Sequence, residues 1–143
     1  VFYILQDTIR TLSPKVQDFI LELHQHYMNK GLTCVAEVKG FHIYIKYCCR
    51  RKDLWGINAS LNNGYHINVK PVNTNEYSDT IKTFSLFLQE LIAKGYGCGR
   101  KREIGHCDGG CHGLQIPLED SVLDIRDNII TWFDKEVSCL KKS

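Results

Sequence analysis

The fold is decided between residues 41 and 70, which read FHIYIKYCCRRKDLWGINASLNNGYHINVK. Apolar and polar side chains alternate in three runs of this stretch, and residues that favour turns separate the runs. Alternation with a period of two is typical of strands that have one buried face and one wetter face. The pattern predicts strands at 41–49, 53–61 and 65–70, with the Asn-Asn-Gly of residues 62–64 as a hairpin turn.

The flanking residues complete the predicted architecture. A strand at 32–38 precedes the stretch, joined to it by the Lys39-Gly40 turn, and a short fifth strand is predicted at 114–118. Apolar residues at helical spacing predict three amphipathic helices, at 13–31, 77–95 and 124–140. The apolar face of the sheet needs a cover, and the three helices supply one. We therefore expect an α+β fold, an antiparallel four- to five-stranded meander with three helices packed on one face.

The length, composition and net charge of the chain are those of one globular domain. The 143 residues are 43% hydrophobic and 24% charged, with a formal net charge of +2. This size predicts a single α+β domain at 13–143, preceded by an N-terminal extension at 1–12. No run approaches the roughly 20 apolar residues of a membrane-crossing helix, so no membrane partner is expected. The seven cysteines are an odd number, and several lie in apolar segments. We therefore predict free thiols and a cytoplasmic location.

The polar positions of the strands share one face of the predicted sheet. This face mixes cations, amides, an aromatic ring and imidazoles, the groups that line small-molecule pockets and nucleic-acid platforms. Its predicted binding residues are His42, Tyr44, Lys46, Asn58, His66, Asn68 and Lys70. The alternative is an ordinary solvated face. No carboxylate is expected on it, which argues against a paired-acid hydrolase. His24 and His26, on the polar flank of the first helix, are expected to be solvated.

A second cluster lies in the glycine-rich segment 95–113. It holds three cysteines and two histidines, and thiolate and imidazole are the donors that zinc prefers. The predicted zinc ligands are Cys98, His106, Cys107, Cys111 and His112. Two alternatives stay open. One is a redox pair, because the basic residues 100–102 would lower the pKa of a nearby thiol. The other is an ordered loop whose cysteines only pack against the last helix.

The element order resembles that of a known group of proteins. An opening helix, a four-stranded meander with Trp55 and Tyr65, and further helices are similar to small bacterial domains of unknown function, including those grouped with the MmcQ/YjbR-like folds. The resemblance concerns the layout of residues 13–137 and rests on no motif, so no functional residue is carried over. It implies binding of a ligand or a protein partner.

Three functions follow from these features. The first is a non-enzymatic binding or sensing module that uses the polar sheet face for a small molecule or protein partner, with the 98–112 loop as a structural zinc site. The second is a small thiol-dependent enzyme or redox protein, using Cys107 or Cys111 with His106 or His112. The third and weakest alternative is nucleic-acid binding through Lys46, Lys70 and residues 100–102, since a net charge of +2 does not imply a polyanionic partner by itself. No phosphate-cradling or dinucleotide-binding motif is present.

Overall fold

The computed structural model describes residues 2–60, 64–70, 73–95 and 114–142. Within these ranges, five antiparallel strands form one sheet in the order β1-β2-β3-β4-β5. The strands are β1 (Thr33–Lys39), β2 (His42–Cys49), β3 (Lys52–Ser60), β4 (Gly64–Val69) and β5 (Leu114–Pro117). Each strand pairs with the next one along the chain, so the predicted α+β meander is confirmed.

The described residues contain five α-helices, two more than predicted. The α-helices are α1 (Phe2–Thr8), α2 (Pro14–Asn29), α3 (Ser78–Ile81), α4 (Leu86–Gly95) and α5 (Arg126–Lys142). Two short 3₁₀ helices, Thr74–Tyr77 and Asp120–Ile125, lead into α3 and α5. Among the described residues, no helix is both long enough and apolar enough to cross a bilayer.

The predicted helix at 77–95 is divided because Ser85 starts a new helix. The Ser85 hydroxyl accepts a hydrogen bond from the Leu88 N–H at 3.3 Å, which is the geometry of an N-cap. The Ser85 N–H donates to the Asn128 side-chain oxygen at 2.9 Å instead of continuing the preceding helix. The apolar spacing continues across the break, because Phe84 and Leu88 are both buried. Spacing alone therefore could not reveal the break.

The first helix after the N-terminal segment begins as predicted. Ser13 caps α2, accepting a hydrogen bond from the Val16 N–H at 3.4 Å, and Pro14 occupies the first helical position. Upstream, α1 lies within residues 1–12, and its Leu5 is fully buried in the same core. The N-terminal residues therefore contribute apolar side chains to the interior.

The core lies between the helices and one face of the sheet, with Trp55 at its centre. The Trp55 ring on β3 stacks on Tyr47 of β2 with centroids 4.1 Å apart and planes 4° apart. From the helices, Phe133 of α5 stacks on the same indole at 5.5 Å, and Tyr27 of α2 meets it edge-on at 5.8 Å. Aromatic contacts of this kind add to the free energy of burial. They tie α2 and α5 to the middle of the sheet.

A fully buried carboxylate joins α5 to the segment before α3. Glu136 has no solvent exposure, and its oxygens accept hydrogen bonds from the backbone N–H and the side-chain amide of Asn73, at 3.0 and 3.1 Å. The Tyr77 hydroxyl also donates to Glu136, and the Trp132 indole N–H in turn donates to the Tyr77 oxygen at 3.1 Å. Buried polar groups require such partners, so this network specifies how Asn73 and Tyr77 pack on α5.

His24 is buried, and the expectation that it would be solvated is wrong. Its Nδ1 lies 2.7 Å from the Tyr47 hydroxyl, and its ring meets Tyr47 edge-on. Burial lowers the pKa of His24, so the imidazole is held in its neutral form. His26 differs, since it is partly exposed and its Nε2 lies 3.0 Å from Asp134 Oδ1.

The β2–β3 hairpin contains one extra residue. Arg50 and Arg51 form a two-residue turn with φ of 51° and 69°, the left-handed conformations that twisted hairpins require. Beyond the turn, Asp53 pairs with Cys48, whereas Trp55 pairs with Tyr47, so Leu54 has no pairing partner in β2. Leu54 is therefore a β-bulge, and both Leu54 and Trp55 are buried.

Candidate functional site

The sheet register brings the predicted binding residues together on the face opposite the core. One row across β2, β3 and β4 contains Lys46, Gly56 and Asn68, and the neighbouring row contains Tyr44, Asn58 and His66. Side chains in such rows are direct neighbours on one face of a sheet. The remaining two predicted residues lie at opposite ends of this face. His42 lies across from Ser60, and Lys70 follows β4.

Two carboxylates also lie on this face, contrary to the expectation of none. Lys46 Nζ lies 3.2 Å from Glu37 Oε1 and 4.0 Å from Asp53 Oδ2, and Lys70 Nζ lies 3.5 Å from the same Asp53 oxygen. The four side chains form one network of alternating charge, Glu37–Lys46–Asp53–Lys70. All four are between about one third and one half exposed, so each ion pair contributes little to stability by itself. The network instead holds the lysine ammonium groups in place.

The bulge explains why Asp53 was missed. Simple alternation counted back from Trp55 assigns Asp53 to the apolar face of β3, together with Trp55 and Ile57. The extra residue Leu54 shifts the pairing by one, so Asp53 lies opposite Cys48 and points to the polar face. A contact confirms this orientation, since the Cys48 Sγ lies 3.2 Å from Asp53 Oδ1. Glu37 on β1 also lies on the polar face, where its carboxylate pairs with Lys46.

Contacts among the predicted residues hold His42, Tyr44 and Asn58 in place on the polar face. The His42 ring stacks on Tyr44 with centroids 4.2 Å apart and planes 20° apart. His42 Nε2 is also hydrogen-bonded to the Asn58 side-chain oxygen, and Asn58 is almost completely buried. Lys46 Nζ lies 6.0 Å from the Tyr44 ring centroid, within cation–π range. These contacts restrict the rotamers of His42, Tyr44 and Asn58, so this part of the face is preorganised.

A cavity of about 280 Å³ opens on this face. Gly56 lies in its floor, and because Gly56 has no side chain, a gap remains between Lys46 and Asn68 in the same row. The Ile45 carbonyl oxygen would lie only 2.6 Å from a Cβ at position 56, so the backbone of β2 approaches β3 closely here. The lining residues are Glu37, Lys39, Tyr44, Lys46, Asp53, Trp55, Gly56, Asn68 and Lys70. Four of the seven predicted binding residues line the cavity, whereas His42, Asn58 and His66 lie beside it.

Asn68 leaves a buried acceptor without a partner at this cavity. The residue is 9% exposed, and its Oδ1 makes no hydrogen bond within the described part of the chain. An unsatisfied buried acceptor costs about 1–3 kcal/mol, and such groups are uncommon in folded proteins. A donor supplied by a bound molecule would remove this cost. Asn68 is thus a residue of the cavity lining whose buried oxygen has no donor among the described residues.

Cys48 lies on the same face, beside Asp53, but is not a nucleophile at neutral pH. Burial, together with the hydrogen bond to Asp53 and the charge of Asp53, raises the pKa of the Cys48 thiol to about 11. A thiol must ionise before it attacks an electrophile, so Cys48 stays protonated at pH 7. The described cysteines, Cys34, Cys48, Cys49 and Cys139, are all free.

We expect Cys48 in the folded protein to react with iodoacetamide at pH 7 about tenfold or more slowly than in urea-unfolded protein, because its raised pKa reduces the thiolate fraction. Peptide mapping by mass spectrometry at several pH values measures this rate. Replacing Asp53 with asparagine removes part of the cause and should speed the reaction. Equal rates for the folded and unfolded protein would contradict the assignment.

The predicted zinc ligands Cys98, His106, Cys107, Cys111 and His112 lie outside the described residues. Within residues 2–60, 64–70, 73–95 and 114–142, no group of three or more histidine, cysteine, aspartate or glutamate side chains is arranged to hold a metal ion. The zinc site therefore stays a prediction from the sequence.

Comparisons with protein-family models, with curated protein sequences and with solved structures gave no match for this chain.

Proposed function

We propose that this protein is a non-enzymatic binding or sensing module whose polar sheet face binds a small polar molecule in the cavity over Gly56. The observation that carries the proposal is the Asn68 oxygen, which is buried at the cavity and has no hydrogen-bond partner among the described residues. Small-molecule sites are concave and place a few polar groups where a ligand can pair with them. The cavity over Gly56 has both properties.

The charges around the cavity support recognition more than catalysis. Both carboxylates of the wall, Glu37 and Asp53, are engaged by lysine ammonium groups at 3.2–4.0 Å. A general acid or base needs freedom to exchange its proton with a substrate, and these carboxylates are already committed to their partners. The nearby Cys48 is protonated at neutral pH, which removes the most reactive side chain of this region from nucleophilic chemistry.

The same contacts weigh against nucleic-acid binding through Lys46 and Lys70. A phosphate backbone is bound by cations that release counterions on contact. Here each of these two lysines already lies within 4.0 Å of a carboxylate. Binding in the cavity over Gly56 does not require the predicted zinc site of the 98–112 loop. We retain the cytoplasmic location predicted from the sequence and expect no membrane partner.

Nuclear magnetic resonance can test the proposal. Mixtures of small polar compounds are added to ¹⁵N-labelled protein, and amide shifts are followed. The expected result is a set of shifts centred on Gly56 and Asn68. Replacing Asn68 with alanine should weaken binding about tenfold, because the ligand loses a buried hydrogen bond. The control is Asn29→Ala, at an exposed position on α2, which should leave the affinity unchanged. Shifts confined to other regions would contradict the proposal.

A further inference from the structure

The cavity wall carries both signs of charge. The ammonium groups belong to Lys39, Lys46 and Lys70, and the carboxylates belong to Glu37 and Asp53. Lys46 lies between the two carboxylates, and Asp53 is shared by Lys46 and Lys70. Lys39 makes no ion pair with another described residue. The five side chains therefore leave one positive charge without an internal partner, and an anionic group on the ligand would balance it.

The hydrogen-bond acceptors of the cavity wall favour a ligand that also carries a donor group. No donor among the described residues pairs with the Asn68 oxygen, and the two carboxylates accept hydrogen bonds as well. A ligand that offers only oxygen acceptors would leave the Asn68 oxygen buried and unpaired, at the cost already described. An ammonium group satisfies it best, because an ammonium presents three N–H donors and is also attracted by Glu37 and Asp53.

The size of the cavity limits the rest of the molecule. A volume of about 280 Å³ lies just below the range usual for sites that bind drug-sized ligands, about 300–1,000 Å³. Because Gly56 contributes no side chain to the lining, a compact group can lie between Lys46 and Asn68.

From these three features we infer that the ligand is a small zwitterion of the size of a free amino acid, carrying an ammonium and a carboxylate. The ammonium donates to Asn68 Oδ1 and is attracted by Asp53 and Glu37. The carboxylate is bound by the Lys39 ammonium group, which makes no ion pair with another described residue. This assignment of ligand class rests on the proposed function of the same cavity.

The test uses the twenty common L-amino acids at millimolar concentration, first in pools and then singly, with the ¹⁵N-labelled full chain. The tightest-binding amino acid is then compared with two derivatives, its N-acetyl form and its carboxamide. N-acetylation removes the ammonium charge and two donors, and amidation removes the negative charge. Each derivative is expected to bind at least tenfold more weakly than the parent, with the shifts of the parent centred on Gly56 and Asn68.

A pair of double variants separates the wall charges from charge in general. In Asp53→Asn with Lys70→Met, the ion pair at 3.5 Å beside the cavity is removed. In Asp79→Asn with Lys82→Met, a similar ion pair at 3.7 Å is removed from the exposed surface of α3 and its C-terminal end. The first double variant should lose at least tenfold in affinity for the parent amino acid. The second should bind like the unmodified protein.

Failure of the zwitterion assignment and failure of the proposed function give different experimental results. A derivative that binds as tightly as its parent overturns the zwitterion assignment. So does a different class of compound that binds over Gly56 when no amino acid binds, although the proposed function then stands. If neither the amino acids nor the wider panel of polar compounds perturbs this face, the proposed function and the assignment both fail.

Discussion

Replacing Glu136 with alanine is expected to lower the free energy of unfolding by about 3 kcal/mol. The substitution removes the acceptor of three hydrogen bonds, from the Asn73 backbone, the Asn73 side chain and the Tyr77 hydroxyl. It leaves these donors buried, next to a void, in a region where Glu136 itself is fully buried. Urea denaturation followed by circular dichroism gives the change in free energy.

The control for this substitution is Glu90→Ala, at an exposed position of α4. Alanine has the highest helix propensity, so this change should stay within about 0.5 kcal/mol of the parent. Glu136→Gln preserves the shape of the side chain but turns amide hydrogens toward existing donors, and it should fall between the two. Equal effects of the two alanine substitutions would show that the Glu136 network does not stabilise the fold.

The second large effect is expected at Gly56. Gly56→Ala should destabilise the protein by about 2 kcal/mol, the usual scale of overpacking. The new Cβ would lie 2.6 Å from the Ile45 carbonyl oxygen, and this contact is with backbone, which cannot rotate away. In an unobstructed strand the same change would stabilise by about 0.5–1 kcal/mol, because glycine has the greater conformational entropy when unfolded. A decrease in the free energy of unfolding therefore supports the close approach of β2 to β3 at Gly56, and an increase contradicts it.

The measurement is again the free energy of unfolding, now with Gly40→Ala as the comparison. Gly40 has open space around its Cβ position and a φ of +61°, so its replacement carries only the backbone cost, about 1 kcal/mol. A stable Gly56→Ala protein with unchanged or improved unfolding free energy would mean that β2 and β3 are farther apart than described. The same variant narrows the proposed cavity, so ligand binding should weaken with it.

Much of the fold was predictable from local patterns. Alternation in β2, β3 and β4 and the helical spacing in α2 correctly predicted most of the apolar side chains that face the core, since one period decides the orientation of a regular element. The pattern failed where a single residue interrupted it. Leu54 is apolar and adjacent to Trp55, so nothing in the sequence distinguishes the bulge from regular alternation. The orientation of Asp53 consequently required the strand register.

Buried polar side chains were the second limit. Histidine and glutamate are usually exposed, so their residue types give no sign that His24 on α2 and Glu136 on α5 are buried. Both are buried because distant residues supply their partners, Tyr47 for His24 and Asn73 with Tyr77 for Glu136. The unpaired oxygen of Asn68 belongs to the same category. The polar face could be identified from the sequence, but not which of its atoms lacks a partner.

The β-bulge at Leu54 allows β3 to contribute two neighbouring apolar side chains to the core and a charged side chain to the cavity. Leu54 and Trp55 both enter the interior, whereas a regular strand would have to send one of any two neighbours outward. The strand thereby gains an additional hydrophobic anchor and still delivers the charge of Asp53 to the rim of the cavity. Substitution of Leu54 or Trp55 therefore alters the packing beneath the helices, whereas substitution of Asp53 alters the charge beside the cavity.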